Sequence, residues 1–211
     1  MNTITNNEFT NPIEKKNNLI GLVLCGGKSA RMQTDKAFIQ YHHLPQAFYL
    51  YEQINTICEQ VFLSCNQTQV ERIDAQYPII VDDTKYENNG PICAILSALE
   101  IHKNKSFLVL ACDYPLLTFD DILKLKTVWE NGDSSVSFYN NETNFREPLL
   151  AIYHQNDLEK LVQFYNKGNT SLQYFLNEIN AKKINAKSNK SLTSIDTKEA
   201  FEKTYNLLNN L

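Results

Sequence analysis

Two glycines and three cations at the end of an apolar run are the residues of this chain best placed to do chemistry. Leu19-Ile20-Gly21-Leu22-Val23-Leu24-Cys25 runs into Gly26-Gly27, and Lys28, Arg31 and Lys36 follow within ten residues. A strand that ends in glycines lets backbone N–H groups approach a ligand without side-chain bulk. The cations supply positive charge where phosphates would sit. The pattern points to a nucleotide. Gly21-x4-Gly26 followed by Gly27-Lys28-Ser29 comes near a P-loop, but one extra residue before Lys28 breaks the spacing, and no G-x-G-x-x-G is present. A strand-to-helix turn with solvated lysines is the alternative.

Carboxylates form the second group. Asp113 closes the most apolar run, Phe107-Leu108-Val109-Leu110-Ala111-Cys112. It is either a turn residue ahead of Pro115 or a ligand for a hard cation. Mg2+ needs few protein carboxylates when phosphate oxygens and water complete its shell. Asp82 and Asp83 follow Val81; they are either solvated or able to accept the paired N1–H and amino hydrogen bonds of guanine, a donor pair that adenine and cytosine lack. Asp196 with Glu199 reads as a helix N-cap box, and Arg146-Glu147 as a surface pair.

The whole chain sets the context. Its 211 residues fit one α/β domain, with residues 1–17 as a loose, Asn-rich tail rather than a signal peptide and 18–211 as the domain. A net charge of −4 without a polybasic tract disfavours nucleic acid and anionic membranes as partners. The three arginines are Arg31, Arg72 and Arg146, so one of them falls in the glycine loop. Five cysteines, odd in number and without C-x-x-C, read as reduced thiols of a cytoplasmic protein. The four histidines have no metal-ligand spacing, and no stretch is long and apolar enough to cross a bilayer.

Short apolar runs alternate with helical patterns, which predicts a mostly parallel sheet flanked by helices. The expected strands are Leu19–Leu24, Val61–Cys65, Pro78–Val81, Phe107–Ala111, Ser134–Phe138 and Leu149–Tyr153. Helices are expected after Pro45, after Gly90-Pro91, from the capping box Thr118/Asp121, around residues 155–166 and 171–178, and from about Thr197. In such a sheet ligands bind beyond the carboxyl ends of the strands. The loops carrying Gly26-Gly27, Asn66, Asp82-Asp83 and Cys112-Asp113 should therefore share one face.

Leu24-Cys25-Gly26-Gly27-Lys28-Ser29-Ala30-Arg31-Met32 with Asp35-Lys36 resembles the L-A-G-G-x-S-x-R-M-G-x-D-K signature of molybdenum cofactor guanylyltransferases. Further along, Cys65-Asn66 resembles A-N, Asp83 ahead of Gly90-Pro91 resembles D…G-P-L, and Cys112-Asp113-Tyr114-Pro115 resembles C-D-x-P. Glu147-Pro148-Leu149 and Asp196-Thr197-Lys198-Glu199 echo E-P-L and N-T-P-E more loosely. The likeness spans about residues 18–208. Four positions depart from it: Cys25 for Ala, Gln33 for Gly, Ala94 for Gly and Asp196 for Asn.

The resemblance implies a Rossmann-like three-layer α/β/α nucleotidyltransferase fold. It implies GTP and molybdopterin as substrates, Mg2+ as cofactor, and the enzymes that deliver the pterin and receive the product as partners. In the implied reaction GMP passes from GTP to the terminal phosphate of the molybdenum-bound pterin, releasing pyrophosphate. That phosphate is ionised at neutral pH, so no general base is required. The implied roles are backbone donors and a base-side wall from Leu24, Cys25, Gly26 and Gly27, and charge stabilisation by Arg31 and Lys36. Asp113 would hold the metal, with Asp196 as candidate second ligand; Asp83 would read guanine, Asn66 would hold base or ribose, and Arg146 would touch the pterin. The Gly-Gly pair leans toward guanine. The alternatives are a molybdopterin cytidylyltransferase or another small-molecule nucleotidyltransferase on the same scaffold, and a non-catalytic GTP-binding relative.

Overall fold

A computed structural model describes residues 18–26 and 35–209. Its centre is a seven-stranded sheet, β1 (Leu19–Leu24), β2 (Gln60–Cys65), β3 (Ile79–Val81), β4 (Ser106–Ala111), β5 (Val136–Asn140), β6 (Phe145–Tyr153) and β7 (Lys182–Ile184), in the spatial order β3-β2-β1-β4-β6-β5-β7. Pairing is parallel except for β6, which runs antiparallel to both β4 and β5. Every residue of β1 and β4 is buried. That accounts for their continuous apolar runs, since central parallel strands are covered on both faces.

The helices are α1 (Gln46–Asn55), α2 (Ile92–Ile101), α3 (Phe119–Glu130), α4 (Gln155–Asn166), α5 (Leu172–Glu178) and α6 (Lys198–Asn209). The crossover from β1 through α1 steps to β2 on one side; the later one from β3 through α2 returns past β1 to β4 on the other. Right-handed crossovers in opposite directions put helices on opposite faces. Thr118 and Asp121 form the expected capping box on α3. No described helix is long and apolar enough to cross a membrane.

Several boundaries differ from expectation. β5 starts two residues late and β6 four residues early, because the two strands share a register shift at Ser137/Phe138 that the apolar pattern does not show. β7 was not expected at all: Lys182 and Lys183 are exposed and only Ile184 is buried, the composition of a protected edge. At the start of α6, Thr197 Oγ1 accepts from the Ala200 amide at 3.2 Å, and the Asp196 carboxylate also meets a tertiary partner, Lys36. The expected tail, residues 1–17, lies outside the described residues.

Gly21 serves packing rather than phosphate binding. It sits mid-strand in β1, where a Cβ would lie 2.7 Å from Ile54 Cδ1 of α1 and 3.0 Å from Val61 Cγ2. The missing side chain lets α1 settle on the sheet. Gly21→Val is therefore expected to overpack this contact by about 2 kcal/mol, lowering the melting temperature by roughly 4–8 °C for a chain of this size. An unchanged melting temperature would remove the packing role.

Candidate functional site

The order of the strands turns at β1 and β4: the chain steps from β1 outward to β2 and β3, then comes back to β4. Such a switch point leaves a crevice beyond the strand tips. Leu24 pairs with Ser64 on one side and Ala111 on the other, so Gly26 and Asp113 leave neighbouring strands at one level.

Lys36 enters this crevice from a single 3-10 turn, Lys36–Phe38, capped by the Asp35 carboxylate on the Ala37 amide at 3.2 Å. Its ammonium contacts Asp196 Oδ1 and lies 3.5 Å from Asp113 Oδ2. Ser194 Oγ donates to Asp113 Oδ2 at 3.0 Å and is 3.3 Å from Asp196 Oδ2. The Ile195 amide donates to the Asp113 carbonyl at 2.8 Å, tying the β4 loop to the segment ahead of α6. Asp113 Oδ1 is buried without a hydrogen-bond partner. Buried polar atoms are rarely left so. One cation between two carboxylates, with an anionic oxygen unsatisfied, is an arrangement that accepts a hard cation.

Tyr41 closes the crevice behind these groups. Its ring packs on Phe201 at 5.3 Å, and burial together with the charges of Asp113 and Asp196 pushes its phenol up to about 12. Tyr114, next to Asp113, donates its hydroxyl to Glu147 Oε2 at 3.0 Å.

The loop after β2 braces the loop after β1. Gln69 is buried; its amide nitrogen lies 2.9 Å from the Cys25 carbonyl and 2.7 Å from Asp35 Oδ2, and its oxygen accepts from the Asn66 amide at 3.0 Å. Arg72 Nη1 adds a contact of 3.1 Å to Asp35 Oδ2. Asn66 Oδ1 caps the next turn, accepting from the Thr68 amide and hydroxyl at 2.9 and 2.6 Å.

The acidic pair after β3 divides its work. Asp83 Oδ1 caps a short turn by accepting from the Lys85 amide at 3.0 Å. Asp82 is half-buried, receives Ser64 Oγ at 2.9 Å, and places Oδ2 3.9 Å from where a Cβ on Gly26 would be. Burial holds its carboxyl above the usual carboxylate range. Of the two, it is Asp82 that faces the glycine end of β1, although Asp83 carries the resemblance.

Two expectations need correction. Cys25 cannot offer its amide to a phosphate, because that N–H is spent on the Ser64 carbonyl at 2.8 Å; Leu24 lies within the paired register, so Gly26 is the first residue past the ladder. Arg146 is not brought to the crevice. It is buried, with Nε 2.9 Å from Asn177 Oδ1 and Nη1 3.3 Å from Ser137 Oγ, so its guanidinium joins β5 and β6 to α5. Gly27 and Arg31 lie outside the described residues. Ser194, Tyr41, Gln69 and Tyr114 were not singled out from the sequence; only Tyr114 stood in a quoted motif. Two shallow cavities, of about 420 and 400 Å3, lie elsewhere, between α2 and α4 and behind the Pro115–Phe119 loop.

The profile of the MobA-like NTP transferase domain matches residues 21–183. The chain belongs to this family. It is 34% identical over 151 residues to the molybdenum cofactor biosynthesis bifunctional protein of Synechocystis, covering 71% of this chain but only 43% of that one. A probable molybdenum cofactor guanylyltransferase of Bacillus mycoides is 24% identical, with 90% of this chain and 97% of the relative covered. Among solved structures, the molybdopterin-guanine dinucleotide biosynthesis protein A of Archaeoglobus fulgidus superposes with a TM-score of 0.72 at 20% identity, covering 91% of this chain and 100% of that one. That likeness establishes the shared α/β architecture.

The burial of Asp82 has a measurable consequence. A carboxyl whose folded-state value is raised favours the fold when protonated and opposes it once ionised. Asp82→Asn should therefore raise the melting temperature of the ligand-free protein at pH 7. The gain should fade as pH falls through the raised folded value toward the ordinary 3.8. Melting curves across that range check it; a gain independent of pH would exclude charge burial as the cause.

Proposed function

We propose that the chain is a molybdenum cofactor guanylyltransferase, moving GMP from GTP to the terminal phosphate of the molybdopterin substrate with release of pyrophosphate. The observation that carries the reading is the meeting of Lys36 with Asp113 and Asp196 at the switch point of a MobA-like NTP transferase domain, with Asp113 Oδ1 left unsatisfied.

Catalysis here is positioning and charge neutralisation. Lys36 turns from its carboxylates to the phosphates and stabilises charge on the α-phosphate and the departing pyrophosphate, with Arg31 assigned the same duty. Gly26 leaves room for the triphosphate against the tip of β1, with Gly27 assigned the same duty. Asp113 is the ligand for Mg2+, with Asp196 as second oxygen donor; the bound ion supplies Lewis-acid stabilisation of the developing charge. Asp83 reads the guanine donor pair, Asp82 forms the floor beside Gly26, and Asn66 holds base or ribose. The attacking phosphate oxygen is already ionised, so no side chain needs to remove a proton.

Two measurements test this. Asp113→Asn should retain the fold by circular dichroism yet lower Mg2+-dependent pyrophosphate release at least about 100-fold, the loss of roughly 2.7 kcal/mol of transition-state stabilisation; turnover near the parent rate would refute the metal role. Thermal-shift titration should rank GTP above CTP and ATP. A lost hydrogen-bond pair to a charged group is worth about 1.5–3 kcal/mol, or about 10- to 150-fold in affinity. Preference for CTP would mark a cytidylyltransferase, and GTP binding without pyrophosphate release a non-catalytic relative.

A further inference from the structure

β6 runs antiparallel beside β4, with Leu110 opposite Leu150. Its first residues, Phe145 to Leu149, therefore continue past the tip of β4 and flank the loop that carries Asp113. Within that overhang Glu147 is half-buried. Tyr114 donates its hydroxyl to Oε2 at 3.0 Å, the Asn140 side chain lies close by, and burial together with the charge of Asp113 pushes the carboxyl above its ordinary range. No ion pair to Glu147 is present among the described residues. Arg146, the adjacent cation, belongs to the other face of the strand, where Ser137 and Asn177 hold it.

Burying a carboxylate without a counter-charge is costly, so its presence beside the crevice asks for a reason. A carboxylate offers about four lone-pair sites. Tyr114 engages one of them and orients the group, leaving the rest for a ligand. What the ligand must be follows from the layout of the sheet. The loops after β2 and β3, with Asn66, Asp82 and Asp83, lie to one side of β1. Lys36 and Asp113 lie at the middle. The acceptor must then enter from the far side of β4, and the strand there is β6.

We propose that Glu147 is the residue that recognises the pterin ring of the acceptor, receiving the ring N3–H and the 2-amino group as a hydrogen-bond pair, with Tyr114 as its positioning residue. The inference rests on the guanylyltransferase reading above. A pterin carries the same 2-amino-4-oxopyrimidine edge as guanine, so one kind of group suits both ends of the crevice. An aspartate pair serves the base on the β3 side, and a glutamate serves the pterin on the β6 side. The substitution of a 2-oxo group for the 2-amino group, as in a lumazine, removes one of the two donors and puts an acceptor opposite the carboxylate.

The test uses the full chain. In transfer assays Glu147→Gln should raise KM for molybdopterin at least about tenfold while KM for GTP and the thermal shift with GTP and Mg2+ stay at parent values. Tyr114→Phe should raise the same KM by a smaller factor. In parallel, fluorescence titration of the unmodified protein with a pterin bearing a phosphomonoester side chain, and with its lumazine counterpart, should favour the pterin at least tenfold; Glu147→Gln should abolish the preference. Equal binding of the two rings by the parent chain, or an unchanged KM and preference in Glu147→Gln, overturns the assignment. Failure of the parent chain to bind GTP overturns the guanylyltransferase reading instead, and the ring preference still decides the role of Glu147.

Discussion

Lys36, held between Asp113 and Asp196, is the interaction on which the rest of the site depends. It joins three segments far apart in the chain: the loop after β1, the loop after β4 and the approach to α6. One positive and two negative charges leave a net charge of −1, and that excess suits a cation that arrives with a triphosphate. Under the proposed function, phosphate oxygens would draw the ammonium away and leave Asp113 and Asp196 to hold the metal, so the same three side chains would serve both the empty and the loaded protein. That is what preorganised electrostatic stabilisation requires.

The turn that carries Lys36 is braced from the loop after β2. Gln69 spans the Cys25 carbonyl, the Asp35 carboxylate and the Asn66 amide, so a neutral side chain on the β2 loop ties the end of β1 to the turn that carries Lys36. Ser194 does the same for Asp113 and Asp196. Because Gln69 and Ser194 carry no formal charge, they orient the ionised groups without altering the charge count in the crevice.

The parts of this architecture that were legible in the sequence are those decided locally. β1 and β4 announce themselves as unbroken apolar runs because both faces are covered. Thr118 and Asp121 announce α3 because a capping box is a short-range pattern. What long-range contacts decide was not legible. Asp196 fits a helix cap, and nothing nearby in the sequence points to its ion-pair partner, which lies 160 residues away. Arg146 and Glu147 are adjacent in sequence but fall on opposite faces of β6, and the shift at Ser137/Phe138 hides the strand parity that separates them. Gln69 and Ser194 are ordinary polar residues until the fold gives them partners.

The floor of the crevice explains why cysteine is acceptable where relatives of the signature carry alanine. Cys25, Cys65 and Cys112 follow the paired residues Leu24, Ser64 and Ala111 on three adjacent strands, and all are free and buried. Burial pushes the Cys65 thiol up to about 12, and a hydrogen bond with Cys25 together with burial raises Cys112, so neither is ionised at neutral pH. Thiols in that state are small apolar groups, and they place no negative charge beneath the phosphates. Burial raises Asp82 and Glu147 in the same direction, each above its ordinary carboxylate value.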